Sequence, residues 1–169
     1  MDIILETDRL CARHFRRDDL EDLAAVVTDP ETMAHWPRPL TRDETAAWIE
    51  DNLARYERDG FGLWALELKE TGTFVGDCGL AVREIEGLRE VELGWHLNRH
   101  HWGKGLATEA GAACRDHAFR TFGVARIVSL VLPANVPSAR VAQRLGMEVE
   151  RQVDYKGLLH DLYVIGSRP

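Results

Sequence analysis

Cysteine is scarce in this sequence, with three in 169 residues. Cys11, Cys78 and Cys114 are odd in number, far apart and in no C-x-x-C pair, a pattern that fits free or buried thiols in a reducing cytoplasm better than a disulfide framework. Long apolar runs are missing too, and no segment approaches the roughly 20 residues that a membrane span requires. The start, MDIILETDRL, has an acid at position 2 and no basic stretch ahead of its short apolar run, so it does not resemble a secretory signal. The expected compartment is cytoplasmic. Positive charge is also in deficit: 21 Lys and Arg stand against 28 Asp and Glu, a formal net charge of -7. That argues against an extended nucleic-acid footprint, which needs clustered Lys and Arg. Any anion site must therefore be local, and an acidic surface suits a cationic partner such as an amine or a basic protein tail. No internal repeat, low-complexity stretch or Pro/Gly/Ser linker interrupts the chain, so 1–169 reads as a single domain large enough for its own core.

What is present is a change of hydrophobic period. LCARHF (Leu10 to Phe15) reads as a strand, and DDLEDLAAVVTDP has helical spacing at Leu20, Leu23, Val26 and Val27 before Pro30. In TRDETAAWIEDNLARYERDG, Thr41 and Glu44 form a capping box, Trp48, Ile49, Leu53 and Tyr56 share a face, and Gly60 closes the helix. GLWALEL, TFVGDCGLAV and EVELGWHL follow as three strand-like runs separated by the turn-rich segments KETG and EGLRE, which suggests an antiparallel meander. The period then becomes about 3.6 at Leu106, Ala110, Ala113, Cys114, His117 and Ala118. A strand ARIVSLVL, a short helix VPSARVAQRL capped by Gly146, and a last strand DLYVIG complete an α+β or mixed α/β sheet domain.

At the change of period stands HHWGKGLATEA. A strand that ends in a glycine turn and feeds a helix presents unpaired N–H groups and the positive end of the helix dipole at one point, which is an anion site. An ordinary connection is the alternative for a lone G-x-G. Spacing excludes two named phosphate loops. A Walker A loop needs a glycine where Asn98 stands and Ser or Thr where Gly105 stands, and a dinucleotide fingerprint needs a third glycine where Thr108 stands. His96, His100, His101 and His117 have no metal-ligand spacing, so no metal is expected.

The segment WGKGLATEA resembles the acyl-CoA pyrophosphate loop, Q/R-x-x-G-x-G/A, of the GCN5-related N-acetyltransferase superfamily, with Trp102 at the Q/R position. LETDRLCARHF, VGDCGL, ELGWHL, and N-x-x-S with LGM between Asn135 and Met147 resemble, in order, the subgroup that includes the ribosomal-protein alanine N-acetyltransferases. The resemblance implies a mostly antiparallel splayed sheet flanked by helices, with acetyl-CoA as cosubstrate and a primary amine as acceptor, a protein N-terminus above all. Two other readings stay open: a small-molecule amine acetyltransferase, and a module that binds CoA without catalysis. A homodimer is common among such relatives, and the sequence does not decide it.

Site residues follow from the resemblance. Trp102, Gly103, Lys104, Gly105, Leu106, Ala107 and Thr108 would hold the pyrophosphate, Leu97 and Asn98 would meet the pantetheine arm through their backbones, and Asn135, Ser138 and Arg144 would complete the CoA site. Strand alternation puts Val91, Leu93, Trp95 and Leu97 on one face of EVELGWHL and Glu90, Glu92, Gly94, His96 and Asn98 on the other, with Gly94 suited to a bulge. An amine must lose a proton before it attacks, and Glu92 is the candidate general base, with Glu90 and His96 in reserve. Many relatives place a tyrosine acid where this chain has Ala142; Ser138 is the candidate donor to the departing thiolate, with Tyr155 the alternative. Asn135 and Ser138 also read simply as helix-capping residues. Acceptor contacts are expected at Trp36, Trp64 and Tyr155, with His35, Phe61 and a late loop near Asp161 beside them.

Overall fold

The computed structural model describes residues 3–167, so the acid at position 2 lies outside the described residues. Two short strands, β1 (Ile3–Glu6) and β2 (Leu10–Arg13), lead into helices α1 (Leu20–Val27) and α2 (Arg42–Asp59). The capping box of α2 forms as its sequence predicts: the Thr41 hydroxyl accepts from the Glu44 amide at 3.2 Å, and the Glu44 carboxylate accepts from the Thr41 amide at 2.8 Å. Strands β3 (Leu63–Leu68), β4 (Phe74–Ile85) and β5 (Leu88–Leu97) follow, then α3 (Leu106–Thr121), β6 (Arg126–Val131), α4 (Val136–Arg144), β7 (Glu148–Tyr155) and β8 (Leu158–Gly166).

One eight-stranded sheet results, in the order β1-β2-β3-β4-β5-β6-β8-β7. Every neighbouring pair is antiparallel except β5 and β6. The long β4–β5 hairpin is fixed at its tip, where Glu86 and Gly87 take φ of 48° and 79°, the backbone of a type I′ turn. The expected turn-rich EGLRE segment thus shrinks to two residues, and both strands lengthen. The ladder runs without a shift from Gly76↔Leu97 to Ile85↔Leu88, so the bulge expected at Gly94 is absent from this pairing. Gly94 instead faces Gly79 across the ladder.

Alternation sorts the sheet into two buried faces. Trp64, Leu66, Cys78, Leu80, Leu93 and Leu97 pack under α3 through Leu106, Ala110, Cys114 and Ala118. Leu63 and Ala65, one step out of phase, pack with Phe15, Leu23, Val26, Val27 and Ile49 from the α1–α2 side. The three cysteines are buried and free, as small core residues. At one sheet margin, Arg13 is 4% exposed and its guanidinium binds Asp19 through two bonds of 2.8 and 2.7 Å while also reaching Glu67 at 2.8 Å. That buried triad ties β2 to β3 and to the turn before α1.

Two strands went unread in the sequence. β1 is a four-residue edge strand with a shifted register. β7 pairs only with β8 and buries Val153 alone, so its sequence EVERQVDY carries no core-face alternation. The late segment expected as a loop near Tyr155 and Asp161 is this β7–β8 hairpin, turned by Lys156 and Gly157 with φ of 52° and 79°.

Candidate active site

β5 and β6 run parallel, but their ladder holds a single pair, Glu92↔Val128. One residue on, the β6 side supplies a side chain instead of a backbone group: the Ser129 hydroxyl donates to the Leu93 carbonyl at 2.7 Å. Beyond that point the strands separate. Because the Leu93 carbonyl points toward β6, the two-residue period of a strand turns the backbone groups of Trp95 and Leu97 toward the same gap. The gap opens into a cleft of about 1170 Å³, walled by β5, the glycine turn, the end of β6, the start of α4 and the α1–α2 connection.

The glycine turn closes one end. Gly103 and Gly105 have φ of 71° and 76°, which side chains with a Cβ rarely adopt, and a Cβ on Gly103 would meet no atom within 4 Å. The first backward helical bond runs from the Glu109 amide to the Gly105 carbonyl at 3.0 Å, so the amides of the preceding turn point out of the helix start. The turn is held from the N-terminal segment. Arg9 donates to the Lys104 carbonyl at 2.9 Å and to Glu109 at 2.7 Å, while the Arg9 amide and the Thr7 hydroxyl both donate to the other Glu109 oxygen, at 2.9 and 2.5 Å. Burial pushes the Glu109 pKa up, but the bonds from Thr7 and Arg9 outweigh it and hold the carboxyl below its ordinary value.

Trp102 caps the other side of the turn, its indole N–H donating to the Leu97 carbonyl at 2.8 Å. Asn98 turns away from the gap: its amide bonds Val75 on β4 at 2.9 Å and its side chain accepts from the His100 amide at 3.1 Å. At the far wall, Asn135 caps α4 by accepting from the Ser138 amide at 3.2 Å, and Ser138 and Arg144 line the cleft. Ala142, at the position where the resemblance would place a tyrosine acid, is fully buried.

Glu92 and His96 both face the cleft from β5, as alternation predicts. Glu92 is paired with Arg83 at 2.7 Å, and Tyr155 at the cleft rim adds to the environment that raises the Arg83 pKa against its burial. His96 bonds through Nδ1 to Asp77 at 2.7 Å, and Asp77 is fully buried. Trp36 and Trp48 set their rings 5.5 and 5.3 Å from the His96 ring, both edge-on. The Trp48 indole N–H is buried without a hydrogen-bond partner among the described residues.

The structure thus gathers Glu92, Leu97, Trp102, Gly103, Gly105, Leu106, Ala107, Thr108, Asn135, Ser138, Arg144, Trp36 and Tyr155 around one cleft. Lys104 stands outside its lining, with Nζ 3.2 Å from the His100 carbonyl. Trp64 does not join them and the expectation is corrected: at 1% exposure it is core, against His117 under α3, because its strand phase pairs it with Cys78. Phe61 is likewise buried, against Phe122. Asp77, Arg83, Arg9 and Glu109 were not singled out in the sequence. The signal for Asp77 was the Glu86–Gly87 turn, since a two-residue turn there sets the register that brings Asp77 opposite His96. Among the described residues, no group of three or more His, Cys, Asp or Glu side chains is placed to hold a metal ion, and no helix is long and apolar enough to cross a membrane.

A sheet parted beside a glycine turn at a helix start makes a cleft for a ligand with an extended arm and an anionic end. The chain belongs to the acetyltransferase (GNAT) domain family, whose family model matches residues 9–148. It is 31% identical over 166 residues to the uncharacterized N-acetyltransferase p20 of Bacillus licheniformis, an alignment that covers 95% of this chain and 93% of that one. The crystal structure of an acetyltransferase from Agrobacterium tumefaciens superposes with a TM-score of 0.83 at 30% identity, covering 96% of this chain and 94% of the other. The ribosomal L7/L12 alpha-N-protein acetyltransferase RimL in complex with coenzyme A superposes at 0.78 over 98% of both chains, and at 20% identity this likeness reports on the fold. Enzymes of the GNAT family use acetyl-CoA.

Proposed function

We propose that this acetyltransferase moves the acetyl group of acetyl-CoA to a primary amine and that its acceptor is a protein N-terminal amino group. The parting of β5 from β6 carries the reading. The backbone groups of Trp95 and the Leu97 amide face the gap, where an extended pantetheine arm finds hydrogen-bond partners as a further strand would. The amides of Gly103 to Thr108 and the α3 dipole receive the pyrophosphate, and Arg144 stands within reach of its charge. Ser138 donates to the departing thiolate. At about 1170 Å³, the cleft exceeds the usual space of a single small ligand, roughly 300–1,000 Å³, and has room for cosubstrate and acceptor together. Trp36 and Tyr155 stand at the acceptor end, and the cleft face of β5, with Glu92 and His96, receives the proton. The formal charge of -7 favours a cationic acceptor.

The protein-terminus reading draws on the sequence resemblance to the ribosomal-protein alanine N-acetyltransferases. It is tested by thiol release from acetyl-CoA with an amine panel: peptides bearing free N-termini, the same peptides blocked, free amino acids, a polyamine and an aminoglycoside. Turnover should appear with the free-terminus peptides and vanish on blocking. Turnover confined to the small amines would replace the acceptor class, and CoA binding without turnover on any amine would make the protein a binding module.

A further inference from the structure

Asp77 is a carboxylate at 0% exposure, and one of its oxygens has no hydrogen-bond partner among the described residues. The only described hydrogen bond of this carboxylate is the one its other oxygen accepts from His96 Nδ1. A buried carboxylate with so little compensation is costly unless its partner carries positive charge. With Nδ1 engaged, Nε2 is the ring nitrogen left for a ligand, and the His96 side chain is 17% exposed at the cleft wall. Glu92 already holds the Arg83 guanidinium, and taking up a proton would mean surrendering part of that pair, while Glu90 stands outside the cleft lining, bonded to Arg126 at 3.2 Å. The rings of Trp36 and Trp48 stand beside His96 at steep angles to it, and these two rings, 5.7 Å apart, form an aromatic corner whose faces suit an ammonium group.

We infer that His96 is the proton acceptor of the acetyl transfer, with Asp77 as its positioning residue and the Trp36–Trp48 corner presenting the acceptor ammonium to it. The inference rests on the proposed N-acetyl transfer and names its base. His96 Nε2 takes one proton from the ammonium. The neutral nitrogen then forms its bond to the thioester carbon, the C–S bond breaks, and the second nitrogen proton passes to the CoA sulfur by way of Ser138. His96 releases its proton to solvent before the next cycle, so each turnover yields an amide, free CoA and one proton. The charged groups that act on the imidazole come from both strands of the hairpin. Burial pushes its pKa down, but the Asp77 charge and hydrogen bond, helped by Glu92 and opposed by Arg83, raise it above the ordinary histidine value. A base tuned upward from about 6.5 approaches an α-amino group, near 8, more closely than a lysine ammonium, near 10.4.

Three readings on the intact protein test this, with a free-N-terminal alanine peptide as acceptor, or a polyamine where the peptide is inert. In wild type, the acid limb of kcat/KM should coincide with the titration of His96 followed by NMR of labelled histidine. His96→Gln should lower kcat about 100-fold or more while the thermal shift produced by acetyl-CoA is retained. Asp77→Asn should move the acid limb to lower pH, a displacement that a merely structural role would not produce. An acid limb that does not follow His96 overturns the assignment without any variant, and so does a folded His96→Gln protein that keeps turnover within threefold of wild type. If wild type binds acetyl-CoA but acetylates no amine of the panel, the N-acetyl transfer reading itself falls and takes this inference with it.

Discussion

Replacing Glu109 with glutamine removes one negative charge and turns an N–H toward Arg9, in a clamp whose arginine also holds the glycine turn through the Lys104 carbonyl. In wild type the Glu109 carboxylate accepts from the Thr7 hydroxyl, the Arg9 amide and the Arg9 guanidinium. Hydrogen bonds to charged groups contribute about 1.5–3 kcal/mol each when shielded. The Arg9 side chain is half exposed, so solvent screening brings the guanidinium contact down to about 1 kcal/mol, and the more sheltered bonds from Thr7 and the Arg9 amide are partly retained by the glutamine oxygen. A total loss of about 1–2 kcal/mol follows. If this clamp keeps the turn in its binding shape, part of that loss reappears as the cost of ordering the turn around a ligand, and CoA affinity should fall about 5- to 20-fold. Calorimetric titration of CoA into wild type and Glu109→Gln reads the change directly, and the Arg9→Ala, Glu109→Gln double mutant should be weaker than either single mutant by much less than the product of the two effects. A Glu109→Gln protein that melts lower but binds CoA within a factor of two would refute the link between clamp and turn.

Other outcomes follow from the same geometry. Asp19→Asn leaves the buried Arg13 without its two-bond partner and should cost about 3 kcal/mol, read as a lower urea midpoint with an unchanged slope. Because the folded-state pKa of Glu109 is depressed, the clamp's stabilisation is complete above its unfolded value near 4.5 and is lost as pH falls through the lower folded value. The stability gap between wild type and Glu109→Gln should accordingly be flat above about pH 5.5 and close only in acid, as followed by thermal melts across that range. Gly111→Ala would bring a methyl group 2.9 Å from the buried Leu145 side chain, where α3 meets α4, and should destabilise by about 1 kcal/mol in thermal denaturation.

Much of the architecture is written in local chemistry. The Thr41–Glu44 box and the 3.6-residue stripe from Leu106 to Ala118 depend on residues within a few turns of each other, and they appear where the sequence places them. The glycine turn before α3 is equally local. β7 escapes such reading because its partner covers only one edge and water covers most of its side chains, leaving Val153 as its buried residue. Trp64 misleads for a different reason: a bulky aromatic in a strand belongs to whichever face the pairing selects, and the pairing with Cys78 faces it to α3. The Asp77–His96 pair lies between these cases, nineteen residues apart yet joined by a turn short enough to fix the register. The Arg9–Glu109 clamp spans 100 residues and becomes visible only when the first strands and α3 are side by side.

Trp102 bears on how such a cleft can change its chemistry without losing its grip. The turn presents amides and glycine backbone to the cleft, and Trp102 beside it bonds the protein's own Leu97 carbonyl. In the proposed reading, recognition of the cosubstrate is thereby separated from the side chains offered to the acceptor, which come from the α1–α2 connection and the β7–β8 turn. Those two segments can be rewritten for a new amine while the donor half stays as it is. On that reading the molecule offers an engineer a fixed acetyl-delivery unit with an exchangeable mouth.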